Sequence, residues 1–306
     1  MSLSKSKLVQ CPIVKKPLLW LDSGFWYLVQ HLVKNDRRYL SFKYRTIFHK
    51  RLNLENPKTF NEKLQWLKLY AHKPIYVEMA DKYAVKKFIE EHIGSEYVVP
   101  LLGVWTNAEE IDFDALPNQF ALKCNHNSGQ GRCICSDKSK LDLTQVRKDI
   151  QAGLKSDYYL PGRDKQYRDI PKKIIAEQYL DDNTGSELRD YKFWCFNGEP
   201  KYMYCTNKGK SIYENFYDMD FNPVPINHGF PRLQPEVGKP QEFELMKSLA
   251  RQLSKDIPFV RVDFFDIDHH VYFSEFTFFD WGGLRPFKDG WDEKLGTLIV
   301  LPSEIK

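Results

Sequence analysis

The segment KCNHNSGQGRCIC, residues 123–135, contains a lysine, a histidine, two glycines and three of the chain's six cysteines. Two interpretations compete for it. Either the cysteines and the histidine bind a metal ion, or the glycines form a loop whose backbone N–H groups surround an anion. The choice between these interpretations determines what kind of protein this is.

The spacing of the possible ligands argues against a metal. Cys124 and His126, like Cys133 and Cys135, are two residues apart, so on an extended strand their Cβ atoms lie about 7 Å from each other. Two sulfurs bound to one zinc must approach to about 3.8 Å, because each Zn–S bond is about 2.3 Å long. We therefore expect the cysteines to pack as small apolar residues. For His126 two roles stay open, facing an anion or packing against the strand.

The glycine-rich turn SGQG contains Ser128, Gly129 and Gly131. It has neither the GKS/T ending of a P-loop nor the G-x-G-x-x-G of a dinucleotide site. A plain hairpin turn and an anion-binding loop are therefore equally consistent with it. Lys123 favours the anion-binding loop, because it ends the preceding strand and its ammonium group can reach under the turn.

The composition bounds the class of protein. A chain of 306 residues that is 42% hydrophobic predicts a folded protein with a large buried core. Its 45 basic and 41 acidic residues give a net charge of +4, which argues against a nucleic-acid partner. The first residues carry no apolar leader, and six cysteines are ordinary for a reduced protein, so we expect a cytoplasmic location.

The most apolar stretch, residues 17–33, contains several polar residues and is too short to span a bilayer. We expect a buried or partner-facing helix there. Weak attachment to a membrane surface is the alternative, because the basic segment KNDRRYLSFKYR follows at residues 34–45.

Periodicity and turn signals predict helices followed by strands. The chain up to about residue 70 is predicted to be helical, with a capping box formed by Thr59 and Glu62. Further helices are expected from about Asp81 to Gly94 and within residues 240–255. Strands are predicted in EYVVPLLGVW, FALKCNH, RCIC and KKIIAEQYL, and hairpins in LRDYKFWCFNGEPKYMYCTN and FVRVDFFDIDHHVYFSEFTF. This order predicts an α+β fold.

Charged residues interrupt the apolar strands, and buried charge is costly unless it is paired or bound to a metal. A turn near residues 268–270 would bring Asp263 opposite Glu275 on the facing arm of the last hairpin. Two carboxylates on neighbouring strands suit Mg²⁺, which prefers oxygen ligands and keeps phosphates as co-ligands. The alternative is a salt-bridged cluster with Arg261 or Lys192.

Two D-x-D tripeptides, at 218–220 and 266–268, resemble the metal motif of nucleotide-sugar glycosyltransferases. Aspartate is common in turns, so this signal is weak. It keeps a glycosyltransferase with a D-x-D site open as an alternative function.

The order of these features resembles the ATP-grasp enzymes: a lysine before a glycine loop, a glutamate on a strand, a lysine on a hairpin, and a final R-x-D and E-x-T. More narrowly, the chain from about residue 40 to its end resembles the TupA-like branch, which is linked to teichuronopeptide, capsule and lipopolysaccharide synthesis in bacteria. The segments that carry this resemblance are NPKTFNEKLQWLK, MADKYAV, LPNQFALKCNHNSGQ, IIAEQYL, DYKFWCFNGEPKYMY and RVDFFDIDHHVYFSEFTF.

The resemblance implies an ATP-grasp fold, in which two α+β lobes hold ATP between them, with a helical extension at the N-terminus. The implied limits are a helical N-terminal region over 1–75 and an N-terminal ATP-grasp subdomain over 76–116. A middle lobe with a glycine-rich lid would follow over 117–208, and a C-terminal lobe with the metal site over 209–306.

The resemblance also implies roles for individual residues. The implied ATP contacts are Lys82 and Lys123 to phosphates, the loop with Ser128, Gly129 and Gly131 above them, Glu177, Tyr179 and Leu180 at the adenine, and Glu187 at the ribose. The implied catalytic residues are Lys192, at the phosphates, and Arg261, at the reacting acyl phosphate. The implied Mg²⁺ ligands are Asp263, Glu275 and Thr277, although most ATP-grasp ligases have asparagine at the last of these positions.

The activity that the resemblance implies is ATP-dependent ligation of a carboxylate to an amine, with an acyl-phosphate intermediate and release of ADP. The substrate would be a uronic acid or amino acid of a surface glycan. Arg285, which follows the metal strand, could bind the acceptor carboxylate or be an ordinary surface arginine. A sugar phosphotransferase using the same site and a nucleotide-binding assembly protein without turnover stay open as alternatives.

Overall fold

Helices precede and flank two sheets in the part of the chain that the structure describes. The computed structural model describes residues 24–182, 188–207, 213–234 and 236–303. Residues 24–32 are helical. The helices that follow are α1 (Asp36–Phe48), α2 (Phe60–Tyr70), α3 (Ile75–Ala80), α4 (Ala84–His92), α5 (Leu143–Lys155), α6 (Tyr159–Gly162), α7 (Phe243–Leu253) and α8 (Trp291–Leu298).

Local sequence signals explain where the first helices begin and end. The predicted capping box is confirmed, because Thr59 and Glu62 accept hydrogen bonds from each other's backbone N–H groups at the start of α2. The helix predicted after Asp81 is confirmed as α4, and the Asp81 carboxylate accepts a hydrogen bond from the Tyr83 N–H just before it. Gly94 follows α4 with a φ of 125°, a conformation that favours glycine.

Four antiparallel strands form the first sheet, in the order β1–β4–β2–β3. They are β1 (Leu101–Trp105), β2 (Phe120–Cys124), β3 (Arg132–Cys135) and β4 (Ile174–Gln178), which confirms the four predicted strands. Helix α5 packs against β2 and β3. The core of this unit consists mainly of Phe113, Phe120, Leu122, Ile150, Leu154 and Ile174.

Six antiparallel strands form the second sheet, in the order β10–β9–β5–β6–β7–β8. They are β5 (Tyr191–Phe196), β6 (Glu199–Asn207), β7 (Tyr213–Asp218), β8 (Pro223–Val224), β9 (Phe259–Ile267) and β10 (His270–Thr277). Both predicted hairpins are confirmed, as β5–β6 and β9–β10. Their turns place Asn197, Gly198, Asp268 and His269 at positive φ.

Alternating side chains of β5 show how the second sheet is covered on both faces. Phe193 belongs to the core beneath α7, whereas its neighbour Trp194 belongs to the core that includes Phe60 of α2 and Leu295 of α8. The ring centroids of Phe60 and Trp194 are 5.4 Å apart. The N-terminal helix α2 is therefore part of the packing of the second sheet.

The change from one sheet to the other falls between β4 and β5, that is, between residues 178 and 191. The predicted limit at 116/117 separates β1 from β2, which share the first sheet, and the limit at 208/209 separates β6 from β7 in the second. The division into lobes stays a prediction. Within the described residues, no helix has the length and apolarity needed to cross a membrane.

Candidate functional site

A cavity of about 450 Å³ lies between the two sheets. Its walls come from α4, from β2 and the glycine loop, from the end of β4, and from the β9–β10 hairpin. This volume is within the range of pockets that bind small organic ligands, roughly 300–1,000 Å³. The cavity therefore brings together chain segments that are up to 193 residues apart in the sequence, from Lys82 to Glu275.

One part of the cavity is apolar. Its side chains come from both sheets, from α4 and from connecting segments: Val85, Ile89, Val98, Val99, Ala121, Ile134, Leu180, Leu188, Phe265 and Phe273. The predicted residues Tyr179 and Leu180 line it, and they lie beyond the last residue of β4, so their backbone groups are outside the sheet ladder. Apolar walls beside backbone groups that are outside a sheet suit a planar heterocycle. The predicted ribose contact, Glu187, lies outside the described residues.

A buried ion triplet lies beside the apolar part. Glu177 has a side chain that is only 7% exposed, and its two oxygens are 2.6 Å from Lys86 Nζ and 2.5 Å from Lys123 Nζ. Burial alone would raise the pKa of Glu177, but the two lysines outweigh burial and lower this pKa to about 2. The pKa of Lys123 is raised, because the attraction of Glu177 exceeds the cost of burying the ammonium group. One carboxylate between two lysines leaves a net positive charge at the cavity wall.

Lys82, Lys123 and Glu177 were predicted from the sequence, whereas Lys86 was not. Lys86 lines the cavity and also donates a hydrogen bond to the Val99 carbonyl over 2.8 Å. The signal was its spacing of four residues from Lys82 at the start of a predicted helix, which puts both lysines on one side of the chain.

The two glycines of the loop have different surroundings. Gly129 lines the cavity at a φ of 82°, and a Cβ placed there would meet nothing within 4 Å. Gly131 is not among the lining residues. A Cβ on Gly131 would lie 2.8 Å from the Cα of Gly153, so this glycine lets the loop pack directly on α5. Of the residues predicted for the lid, Ser128 and Gly129 line the cavity together with their neighbours Asn127 and Gln130, whereas Gly131 does not.

The loop is also tied to α4. Lys82 Nζ donates a hydrogen bond to the Asn127 carbonyl over 2.7 Å, and the Asn127 side chain donates to the Gly153 carbonyl over 3.1 Å. The predicted phosphate contact Lys82 therefore holds the entrance of the loop. It also lies 3.8 Å from Glu275, at the opposite wall of the cavity.

The predicted metal residues lie together on the second sheet. Asp263 and Glu275 are directly paired across β9 and β10, as the position of the turn predicted. Asp263 is fully buried and accepts from Lys192 Nζ at 2.7 Å, and Lys192 also lies 3.1 Å from Asp190. The Glu275 side chain is 30% exposed and lines the cavity. The charged cluster that the sequence left open as an alternative is therefore present.

A guanidinium group stands between these carboxylates. Arg261 Nη2 donates to Asp263 over 2.7 Å and to Glu275 over 3.1 Å. Burial would raise the pKa of Glu275, but Lys82 and Arg261 outweigh it and lower this pKa. The guanidinium of Arg261 thus bridges the two carboxylates, so the site already accommodates a cation between them. Two carboxylates together with phosphate oxygens are ligands that suit Mg²⁺.

The protein itself offers few ligands for a metal. Across residues 24–182, 188–207, 213–234 and 236–303, no group of three or more His, Cys, Asp and Glu side chains could hold an ion. Thr277, the third predicted ligand, pairs with Arg261 across the strands and does not line the cavity. Because Arg261 Nη2 contacts both carboxylates, a bound Mg²⁺ would compete with it for their oxygens.

Arg261 also contacts a turn that begins at Asp280, and the sequence did not predict this contact. Its Nη1 donates to the Asp280 carboxylate and, over 3.2 Å, to the Tyr204 hydroxyl. Residues 281–283, directly after Asp280, all have positive φ. Helix α2 holds this turn, because Gln65 donates to the Gly283 carbonyl and the fully buried Lys68 donates to the Gly282 carbonyl, both over 2.7 Å.

Several predicted features lie outside the cavity. Arg285 donates to the His228 carbonyl over 3.0 Å and lies over the ring of Phe230, 4.2 Å from its centroid. His126 is buried, with Nε2 3.2 Å from the Ser156 carbonyl, and burial lowers the pKa of its imidazole. Both arrangements serve packing in the described structure.

The two D-x-D tripeptides are parts of turns. Asp218 accepts hydrogen bonds from the backbone N–H groups of Asp220 and Asn222, and Asp266 accepts from the Glu242 N–H. Asp268 is at the β9–β10 turn. Within the part of the chain that the structure describes, none of these aspartates lines the cavity. Their local hydrogen bonds account for their presence.

Comparisons with known proteins agree with this geometry. A family model described as TupA-like ATPgrasp matches residues 62–300. This range contains every residue of the cavity wall, and it also confirms the predicted α+β, ATP-grasp-like fold. No curated protein matches the chain.

Solved structures with a similar fold include two D-alanine ligases and one carboxylase domain. The D-alanine–D-alanine ligase of Bacillus anthracis is 16% identical (TM-score 0.41), and the alignment covers 65% of this chain and 57% of that one. The D-alanyl-alanine synthetase A of Vibrio cholerae is 10% identical (TM-score 0.42), with 78% and 62% covered. The biotin carboxylase domain of the Hydrogenobacter thermophilus 2-oxoglutarate carboxylase, solved with MgADP, is 15% identical (TM-score 0.41), with 72% and 46% covered.

The chain thus spans about half to two thirds of the length of these proteins, and the likeness is too distant to transfer a substrate or a residue role. The family model carries the assignment, because it matches more than three quarters of the chain. This chain belongs to the TupA-like ATP-grasp family.

Proposed function

We propose that this protein is an ATP-dependent carboxylate–amine ligase, which uses Mg²⁺ and acts in the cytoplasm on a precursor of a cell-surface polysaccharide. One observation carries this proposal: a single cavity has an apolar part, a row of lysines beside a glycine loop, and a charged cluster with Glu275 at its far wall. These three parts of the cavity correspond to the three parts of ATP, which are a flat base, an anionic phosphate chain and a reacting phosphoryl group.

In this proposal the adenine lies between the apolar side chains, at the backbone of Tyr179 and Leu180, with Glu177 near its amino group. Lys82 and Lys123 neutralise the phosphates, as their position beside Ser128 and Gly129 supports. When nucleotide arrives, Lys86 can keep Glu177 paired while Lys123 turns toward a phosphate, because both lysines now share that carboxylate. The ribose contact proposed for Glu187 completes the nucleotide site.

The reaction has two steps in this proposal. A carboxylate oxygen of the acceptor attacks the γ-phosphorus of ATP, the bond from that phosphorus to the β-phosphate oxygen breaks, and ADP leaves. The amine nitrogen of the second substrate then attacks the carbonyl carbon of the acyl phosphate. The carbon–oxygen bond to phosphate breaks, an amide forms, and the proton lost by the amine goes to the departing phosphate.

Charge neutralisation is the main contribution of this chain to both steps. Arg261 and Lys192 are buried cations next to Asp263, and they would stabilise the negative charge on the transferring phosphoryl group. Asp263 and Glu275, with Thr277 proposed as a further oxygen ligand, would hold Mg²⁺, which supplies additional positive charge at the phosphates when bound. The loop at Ser128 and Gly129 would keep water from the acyl phosphate.

The proposed substrate class is a uronic acid or an amino acid of a capsule, lipopolysaccharide or teichuronopeptide precursor. The likeness to the TupA-like branch supports this class. Burial raises the pKa of the hydroxyl groups of Tyr158 and Tyr167, and the charge of Glu275 adds to this effect at both. Their rings are 4.9 Å apart at right angles.

Trapping with hydroxylamine tests this proposal. The protein is incubated with MgATP, hydroxylamine and pools of uronic acids or amino acids, and both ADP and hydroxamate are measured. A ligase yields both products in equal amounts, because hydroxylamine intercepts the acyl phosphate. Asp263→Asn and Glu275→Gln should lose both products, whereas Glu199→Gln, a surface carboxylate paired with Arg251 at 2.9 Å, should keep them.

Each failure of this experiment has a definite meaning. ADP without hydroxamate would contradict the ligase and favour transfer of phosphate to a sugar hydroxyl. ATP binding without ADP would favour a nucleotide-binding assembly protein. Release of a nucleoside diphosphate from a sugar nucleotide in the absence of ATP would favour a glycosyltransferase. Normal turnover in the Asp263→Asn and Glu275→Gln variants would contradict the assignment of the site.

A further inference from the structure

The charge of the chain is concentrated at its start. Residues 1–51 contain 11 basic and two acidic residues, whereas the remaining 255 residues contain 34 basic and 39 acidic residues. The nearly neutral total therefore hides a strongly basic N-terminal region followed by a mildly acidic remainder. Such asymmetry within one chain points to an anionic partner for the basic region.

The helix at residues 24–32 exposes an apolar stripe. Phe25, Leu28 and Leu32 are three and seven residues apart, so they share one side of the helix. They are 46%, 59% and 76% exposed. Phe42 of α1 is 44% exposed and continues the stripe, because its ring centroid is 6.3 Å from that of Phe25. Four large apolar side chains thus form one surface, which no other described segment covers.

Basic residues border this surface. Arg38 and Arg45 are exposed and lie four residues before and three residues after Phe42, on the same side of α1. Exposed Lys34 lies in the turn between the two helices, and exposed Arg37 lies in the first turn of α1. The acidic residue of this region that the structure describes, Asp36, is already engaged by the Tyr159 hydroxyl at 2.7 Å. The N-terminal face, defined as Phe25, Leu28, Leu32 and Phe42 with Arg38 and Arg45, is therefore apolar at its centre and cationic at its edge.

The N-terminal face is fixed to the body of the protein. Arg163 is 2% exposed and donates to the carbonyls of Gln30 and Val33 over 2.6 Å and 2.8 Å, so it binds the end of the helix at residues 24–32. Lys43 donates to the Pro161 carbonyl over 2.6 Å. This short segment directly follows Ser156, whose hydroxyl accepts a hydrogen bond from the Asn127 side chain of the glycine loop over 3.3 Å. A ligand on this face would therefore be held near the mouth of the cavity.

We propose that the N-terminal face binds the surface of an anionic phospholipid bilayer. An apolar stripe bordered by arginines matches the boundary between acyl chains and negatively charged headgroups. A second copy of the chain fits poorly, because a two-fold contact would bring the same arginines together across the interface. A nucleic acid would leave Leu28 and Leu32 exposed to water.

Docking of this kind would present the cavity to substrates that are themselves attached to a membrane. The proposal does not depend on the reaction that the cavity performs. Its test therefore uses binding alone, and MgATP affinity is measured separately on every variant.

Sedimentation of the full chain with vesicles tests the inference. The vesicles contain phosphatidylcholine alone or phosphatidylcholine with phosphatidylglycerol. We expect binding to the anionic vesicles, with lower affinity at high salt. Arg38→Glu together with Arg45→Glu should weaken it at least about 25-fold, since each basic residue near such a surface contributes about fivefold. Leu28→Ser together with Leu32→Ser should also weaken binding to the anionic vesicles, because it removes apolar side chains from the centre of the face.

Matched controls carry the same changes elsewhere. Lys201→Glu with Lys255→Glu reverses two exposed charges, and Val300→Ser removes an apolar side chain that is 67% exposed. These controls should bind anionic vesicles as the native protein does. All variants should keep the native melting temperature and MgATP affinity.

Three outcomes would overturn the inference. One is that the native protein stays in solution with anionic vesicles. Another is that the arginine variant binds them as tightly as the native protein. The third is that light scattering finds a dimer that Leu28→Ser with Leu32→Ser dissociates, which would assign the face to a second copy.

Discussion

Replacing Glu177 by glutamine tests the buried ion triplet quantitatively. The change keeps the size of the side chain but removes its charge, and it leaves Lys86 and Lys123 facing each other in the cavity wall. The carboxyl group has a pKa of about 2 in the folded protein, against an ordinary value of 4.5. At about 1.4 kcal/mol for each pKa unit, ionised Glu177 stabilises the folded state at neutral pH by about 3 kcal/mol.

The sign of the pH dependence follows from the lowered pKa. The unfolded chain takes up the proton near pH 4.5, but the folded protein takes it up only near pH 2. The stabilisation is therefore complete above pH 4.5 and is lost as the pH falls toward 2. Linkage predicts that about 1 kcal/mol remains at pH 3.

Urea unfolding, followed by tryptophan fluorescence from pH 7 to pH 3, measures this difference. Glu177→Gln should be less stable than the native protein by about 3 kcal/mol at pH 7. At pH 3 this difference in the free energy of unfolding should be smaller by about 2 kcal/mol. Glu199→Gln is the control, because its side chain is 48% exposed and an exposed ion pair contributes less than about 1 kcal/mol. A gap that stays constant over this pH range would refute the charge assignment at Glu177.

Three further substitutions test the loop, the buried cation and the lid. Gly131→Ala should destabilise the protein by about 2–5 kcal/mol, because its Cβ would meet Gly153. Gly129→Ala should cost only about 1–2 kcal/mol, because the only penalty there is the positive φ. Equal losses of unfolding free energy in urea would contradict these roles. Lys68→Met should lower the free energy of unfolding by about 3–5 kcal/mol, because it leaves Asp164, 2.7 Å away, and two carbonyls without their buried cation. A loss below about 1 kcal/mol in the same assay would show that the cation is dispensable. Asn127→Ala should weaken MgATP binding about 3- to 10-fold in calorimetry, because the loop loses its side-chain hydrogen bonds to Gly153 and Ser156, and unchanged affinity would separate those bonds from the lid.

Local signals in the sequence predicted most of the fold. Strand alternation and turn chemistry act over a few residues, so the hairpin at Asn197–Gly198 and the pairing of Asp263 with Glu275 followed from the sequence alone. The capping box at Thr59 is equally local. A resemblance to a family then connected these pieces into one site.

The features that sequence reasoning missed depend on distant partners. Gln65 and Lys68 are polar residues within a helix, and their acceptors at Gly283 and Gly282 lie more than 200 residues later in the chain. The apolar periodicity of α2 gives no sign of these contacts. Gly131 was predicted to belong to the lid. Its close approach to Gly153 of α5 is a tertiary contact, which the local sequence does not reveal. Buried polar contacts of this kind became visible only in the folded structure.

A crystal structure of the protein with Mg²⁺ and a non-hydrolysable ATP analogue would test the central claim most directly. We predict that the adenine occupies the apolar part of the cavity beside Tyr179 and Leu180, with the phosphates at Lys82 and Lys123. Mg²⁺ should replace the contact that Arg261 Nη2 now makes with Asp263 or Glu275. A nucleotide bound outside this cavity, or a metal that contacts neither carboxylate, would contradict the account.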